Sequence, residues 1–344
     1  MRLSVIVPVY NGGDGLGRCL LGLAASLRPA DEVILVDDCS TDGSPDIAAA
    51  HGARVLSTEN GPRGPAHARN RGAKVATGDV LVFVDADVVV HADTLGRMEA
   101  ILAGEPDVQA LFGSYDDHPP GPGLASRYKN LQHHYVHQRG NREAGTFWAG
   151  CGAVRRATFL AAGGFDEAYR RPSIEDIELG TRLGQAGHRI LLCPEVQATH
   201  LKHWSLLGLW RTDIWARAIP WTRLILRQTG VPSDLNLSWK SRVAALVAWM
   251  LVSFGVLSLV GLLAGATGLA AWSSALLLVC AGIALALNGD LYLFFFRHEG
   301  VFFALGAVLL HWAYLLYSSA IFAALSAAHW LRSLLRPSHE QTNR

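Results

Sequence analysis

The chain has 344 residues, half of them hydrophobic, and 30 Lys and Arg against 29 Asp and Glu leave a formal charge of +1. That length admits one sizeable domain with an appendage, and a charge so near zero lacks the basic stripe that holds nucleic acid, so no polyanionic partner is expected. The five cysteines (Cys19, Cys39, Cys151, Cys193, Cys280) are scattered and form no CxxC pair, which reads as reduced structural thiols in a cytosolic compartment.

In chain order, LSVIVPVY (3–10) is β-rich and GLGRCLLGLAAS (15–26) spaces its leucines as a helix does. EVILVDD (32–38) and ARVLST (53–58) read as strands around a short helix, SPDIAAAHG (44–52); PAHARNRGAKVA (65–76) is helical and DVLVFVDAD (79–87) is a fourth strand. Strands alternating with helices imply a doubly wound α/β fold, a mostly parallel sheet with helices on both faces, and ligands collect at the carboxyl ends of such strands. Each strand here ends in polar residues: Tyr10 and Asn11, Asp37 and Asp38, Asp85 and Asp87. The glycines of NGGDGLG (11–17) do not match GxGxxG and read as a strand-to-helix turn. MRLSVIVPVY, with one positive charge and a proline after a short apolar run, does not read as a signal peptide.

VFVDADVVV (82–90) sets two acids inside an apolar run. In extended backbone Asp85 and Asp87 project the same way, and two charges roughly 5 Å apart at an effective dielectric of about 20 repel by about 3 kcal/mol. Something positive is expected between them.

Beyond the fourth strand, DDHPPGPG (116–123) is a break, and SRYKNLQHHYVHQ (126–138) looks helical. His133 and His137, four apart, either share a helix face as metal ligands or form a surface face near an acceptor. SIEDIELGTRLGQAGHRI (173–190) is a helix whose start carries Glu175 and Asp176 after Ser173. Capping by Ser173 would need only one acid, which leaves Asp176 for a second purpose.

VPVYN (7–11), VDDCSTDGS (36–44), RGPAHARNRG (63–72), DAD (85–87), WAGCGAVRR (148–156), GGFDE (163–167) and EDIELGTRL (175–183) stand in an order that resembles the inverting, family 2 type of glycosyltransferase with the GT-A fold. The resemblance implies a nucleotide-diphosphate sugar donor and a divalent cation, Mg²⁺ or Mn²⁺, that neutralises the diphosphate. It makes Asp87 the direct metal ligand, with Asp85 reaching the ribose or a metal-bound water and His200 a further metal or phosphate contact. Pro8, Tyr10, Asp37 and Asp38 fall at the nucleobase and ribose; one of the two acids reads the base while the other caps the turn with Ser40. Arg69 would approach the base or phosphate. Asp176 becomes the general base that deprotonates the acceptor hydroxyl, with Glu175 supporting. The QxxRW signature of processive synthases does not occur after the ED helix, which disfavours the alternative of polymer synthesis; a catalytically inactive membrane scaffold of the same fold is the other alternative.

In place of QxxRW, Trp204, Leu207, Trp210, Ile214, Trp221 and Ile225 recur at helical spacing, interleaved with Arg211, Arg217, Arg223 and Arg227. This reads as interfacial helices that meet a lipid-linked or membrane-proximal acceptor, split or kinked at Pro220. Lys202, His203 and Arg211 are candidates for phosphate contacts or for lipid headgroups. From Val243 to Leu331 charges almost vanish, and two runs are long enough to cross a bilayer. Lys240 and Arg242 before them, with Arg297 and His298 after, place the front half on the cytosolic side of the cell membrane. Residues 301–331 are one long span or a span plus a surface helix. The expected organisation is a catalytic domain over 1–203, interfacial helices over 204–240, about three spans over 241–331 and a polar tail over 332–344.

Overall fold

In a computed structural model of the chain, the structure describes residues 1–28, 31–227 and 239–335. They divide into two compact units, Met1–Leu209 and the chain from Trp210 onward. The first unit runs β1 (Leu3–Val9), α1 (Gly13–Ser26), β2 (Glu32–Asp37), α2 (Ser44–Ala50), β3 (Arg54–Ser57), α3 (Pro65–Val75), β4 (Val80–Val84), β5 (Val88–Val90), α4 (Thr94–Gly104), β6 (Val108–Tyr115), α5 (Leu124–Arg139), β7 (Cys151–Arg155), α6 (Arg156–Ala161), α7 (Glu175–Gln185) and β8 (Arg189–His200). The chain leaves it through α8 (Leu206–Arg211).

The eight strands form one sheet in the order β3-β2-β1-β4-β7-β6-β8-β5. Its first half is parallel, as the alternation of strands and helices requires. Beyond β4 it is mixed: β7 enters antiparallel between β4 and β6, β6 pairs parallel with β8, and β5 pairs antiparallel with the end of β8. Alternate side chains of β1 serve opposite layers, as the period of two in a strand dictates. Val5, Val7 and Val9 join Leu16, Leu20 and Leu23 of α1 in the main core. On the other face α3 lies so close that a Cβ on its Gly72 would stand 2.6 Å from Cγ2 of Ile6. The free, mostly buried cysteines fit the expectation of unpaired thiols.

This topology gathers one edge. The carboxyl ends of β1, β2 and β4 point the same way, and the antiparallel register Val84↔Cys151 brings the residues just before β7 beside the end of β4.

The second unit begins with a π-helical stretch (Thr212–Ala218), then α9 (Ile219–Leu226), α10 (Trp239–Leu263), α11 (Thr267–Leu287), α12 (Gly289–Glu299) and α13 (Val301–Leu334). Pro220 neither splits nor ends the helical run. Its missing N–H and its ring fall at the start of α9, just after the wider π-helical coil that relieves the clash with the preceding turn. α10, α11 and α13 are long and apolar enough to cross a membrane. Gly265, at φ +69°, makes the turn between α10 and α11, and Gly261 lets them touch, since a Cβ there would stand 2.8 Å from the backbone nitrogen of Ala270. Residues 301–331 lie within the single helix α13; Arg336 and the rest of the expected tail from 336 to 344 lie outside the described residues.

Candidate functional site

The fourth strand ends one residue before the acids. β4 stops at Val84, and Asp85 to Val88 form a turn closed by Val88 N–H donating to the Asp85 carbonyl at 3.0 Å. The extended backbone expected through Asp87 is therefore absent, and the two carboxylates diverge to different partners. Asp85 accepts from Arg69 Nη2 at 2.7 Å. Asp87 Oδ2 lies 3.6 Å from His200 Nε2, at the end of β8. Among the described residues no side chain lies between the two acids: the Arg69 guanidinium holds Asp85, and the His200 ring stands beside Asp87.

His200 is 6% exposed, and its Nδ1 sits 2.6 Å from Asn130 Oδ1 on α5. The Asn130 contact fixes the ring with Nε2 turned toward the Asp87 carboxylate, as partners of ligating histidines do. One carboxylate oxygen and one imidazole suit Mn²⁺ or Mg²⁺. Among the described residues no three His, Cys, Asp or Glu gather into a cation cage. The donor set fits the cation.

Arg69 is 4% exposed, and its guanidinium is engaged by acids of the chain itself. Besides Asp85 it grips Glu175 Oε1 through Nη1 at 2.8 Å, and its guanidinium carbon lies 5.4 Å from the Phe165 ring centre. Glu175 also accepts the Ser173 N–H at 2.9 Å. Ser173 therefore does not cap α7; Ile174 occupies the cap position and the acid behind it secures the turn instead. Asp176, the next residue, accepts Ala149 N–H at 3.1 Å and Ile177 N–H at 2.8 Å. Burial pushes its carboxyl up to about 7, with the Glu175 charge acting in the same sense and Arg69 and the two N–H groups opposing. The loop bearing Asp87 and the helix bearing Asp176 thus meet at one guanidinium.

At the ends of β1 and β2, Tyr10 is 56% exposed and offers an open ring, while Pro8 is partly exposed beside it. Asp37 and Asp38 are each 4% exposed. Asp37 caps the turn by accepting Ser40 N–H at 3.1 Å. Asp38 holds the Thr58 hydroxyl at 2.7 Å and the Arg63 and Gly64 N–H groups at 2.9 and 2.7 Å. Gly64, at φ +93°, lets this loop touch the following one, since a Cβ there would stand 2.6 Å from the Arg170 carbonyl.

Sequence reasoning passed over Asn130, Tyr115 and Trp148. The Tyr115 ring stacks on His200 with centroids 4.2 Å apart, and Trp148 meets Tyr115 edge-on at 4.6 Å. The signal available was position alone: Trp148 opens the WAGCG motif, and Asn130 shares its helix with the histidines. His133 and His137 lie with ring centroids 6.3 Å apart, against Tyr115 and Trp148 respectively. Trp204, assigned to the amphipathic stripe, is 8% exposed inside the first unit, its backbone N–H donated to Ser126 Oγ at 2.6 Å and the Lys202 ammonium 4.6 Å above its ring. Lys202, His203 and Arg211 are exposed.

Residues 4–161 match the family described as Glycosyl transferase family 2. The chain is 32% identical over 167 residues to Glycosyltransferase GlyG of Streptococcus pneumoniae, covering 46% of this chain and 55% of that protein. It is 30% identical over 269 residues to the Pre-mycofactocin glycosyltransferase of Mycobacterium tuberculosis, covering 74% of this chain and 53% of that protein. The chain thus spans about half the length of each of these curated relatives. Among solved structures, the mannosyltransferase PcManGT of Pyrobaculum calidifontis, in complex with GDP-Man and Mn²⁺, superposes with a TM-score of 0.55 at 20% identity over 89% of this chain and 86% of that one, which shows a common fold. Sheet order, motif order and these likenesses agree: residues 4–161 form a domain that matches glycosyltransferase family 2, within a GT-A fold followed by apolar helices fit to cross a membrane.

Proposed function

We propose that the protein is a membrane-anchored transferase that moves one sugar from a nucleotide-diphosphate donor to a lipid-linked or membrane-proximal acceptor, with inversion and without processive chain growth. The observation that carries this reading is the junction at Arg69, where the loop of Asp87 and the helix of Asp176 converge. A nucleoside rests on the open Tyr10 ring, above the loops that Asp37 and Asp38 hold in shape. Asp87 and His200 would hold a divalent ion, which when bound supplies Lewis-acid neutralisation of the diphosphate leaving group. Asp85, already engaged by Arg69, presents its remaining oxygen to the ribose side. Asp176 takes the proton of the acceptor hydroxyl, and with a carboxyl balanced near neutrality it can both accept and release that proton. Attack from the side opposite the nucleotide is a single in-line displacement, hence inversion. The catalytic unit works on the cytosolic face of the cell membrane.

Membranes containing the protein, incubated with labelled nucleotide sugars and Mn²⁺, should transfer label to the lipid fraction, lose that transfer on chelation and regain it when Mn²⁺ is restored. Transfer by an Asp176→Asn variant at the wild-type rate would remove the assigned base.

A further inference from the structure

The wall between the cation ligands and the proton acceptor is lined by rings. The Trp148 indole lies flush on Gly150: a Cβ there would stand 2.5 Å from Cζ2 and 2.7 Å from Cε2 of the indole. Gly150 accepts the Asp85 N–H through its carbonyl at 3.2 Å, and Ala149 donates to Asp176, so the backbone around the indole touches both halves of the site. The indole is braced edge-on by Tyr115 at 4.6 Å and by His137 at 5.1 Å between centroids. Tyr115 in turn lies parallel to His200 within 4°. Tyr115 is 4% exposed, whereas Trp148 is only partly buried, so the indole is the ring of this pair that shows at the surface.

A rigid ring beside a carboxylate selects its ligand by shape and charge. The π-face of an indole is negative, repels phosphate oxygens and attracts weakly positive C–H groups. A pyranose carries such groups on one face and hydroxyls around its rim, which would present a hydroxyl to Asp176 while the C–H face rests on the indole.

Resting on the transferase reading above, we infer that Trp148, braced by Tyr115 and His137, is the platform on which a pyranose of the acceptor stacks. The acceptor is therefore already glycosylated and is not a bare isoprenyl phosphate. Trp148 determines specificity through binding; it transfers no proton.

The test uses the full-length protein in detergent, with methyl β-D-glucopyranoside and methyl α-D-mannopyranoside as sugar probes and farnesyl phosphate as the phosphate-headed probe. Saturation-transfer NMR should show ring C–H signals from at least one glycoside. These should fall by about tenfold in Trp148→Ala and only several-fold in Trp148→Phe, which keeps a smaller aromatic face. Calorimetric binding of UDP or GDP with Mn²⁺ should be equal in all three proteins, which also certifies that the variants are folded; if Trp148→Ala loses it, the comparison of Trp148→Phe with the wild type carries the test, with a several-fold weakening expected. Glycoside signals indifferent to both substitutions, with nucleotide binding intact, overturn the platform and leave the transferase reading standing. Farnesyl phosphate binding that depends on Trp148, in place of the glycosides, overturns it equally. Trp148-dependent glycoside signals without any nucleotide binding would instead remove the transferase reading and keep the platform.

Discussion

A carboxyl that titrates near neutrality leaves a signature in rate. In its proposed role as base Asp176 must be ionised, and its carboxyl is raised to about 7 by burial and by Glu175. Transfer should therefore be full above that value and fall about tenfold per pH unit below it, as a pH profile of kcat would record. Asp176→Asn should lower kcat by roughly 10²–10⁴-fold at every pH and abolish the acid limb. Glu175 plays another part: with side chains each 5% exposed, it and Arg69 form a buried ion pair. Removing one partner strands the other, so Glu175→Met and Arg69→Met should each cost about 3–5 kcal/mol in chemical denaturation, and the double variant less than their sum. The motif letters E, D and R were legible in the sequence, but the ion pairs that Arg69 makes with Asp85 and Glu175 were not. The second of these acids comes from the start of α7, more than a hundred residues downstream.

At the scale of elements, the position of Asp176 is set by how closely α7 can approach the segment before β7. Gly180 lies one helical turn beyond Asp176, and a Cβ there would stand 2.1 Å from the Phe147 backbone nitrogen and 2.5 Å from the Thr146 carbonyl carbon. Backbone atoms cannot yield as a side-chain tip can, so Gly180→Ala must lift the helix and lengthen the Asp176 to Ala149 contact. The expected result is a fall in kcat of at least about tenfold with nucleotide affinity unchanged, because near-attack geometry is lost by shifts of about 1 Å while Tyr10, Asp37 and Asp38 lie on other elements. An equal loss of nucleotide binding would mean that the whole unit had unravelled. Strands and helices of the first half could be read from periodicity, since the β1 to β4 repeat is regular and parallel. The mixed half could not: β7 is preceded by aromatic and glycine residues whose order reflects packing on α7, and the turn at Asp85 to Val88 is hidden in an unbroken run of β-branched residues.

For the whole molecule, the two units differ in what their surfaces can face. In α10, α11 and α13 only 22% of each apolar window is buried, and Leu263, Trp272, Leu278 and Phe302 are 81%, 76%, 72% and 88% exposed. An apolar surface of that extent is not stable in water and calls for lipid, as the disappearance of charge after Val243 announced. The first unit shows the opposite pattern: its core is closed within Met1–Leu209, and even Trp204, which sequence spacing assigned to the interface, is buried there. Periodicity could not separate a tryptophan packed under Ser126 from one meant for lipid, because both follow helical spacing with charges between. A fragment comprising residues 1–209 should therefore express as a soluble, cooperatively folding protein, while the full chain should need detergent. The fragment retains Tyr10, Asp38, Asp87, His200 and Asp176, so it should bind UDP or GDP with Mn²⁺ at the affinity of the full chain. If the proposed membrane-proximal acceptor is the substrate, transfer to an acceptor embedded in vesicles should fall by more than about 10²-fold, because a free fragment lacks the effective concentration that membrane anchoring supplies. Measured side by side on vesicles and on a water-soluble glycoside, the fragment should lose the first activity and keep the second; loss of both, with nucleotide binding intact, would mean that the second unit contributes to the chemistry itself.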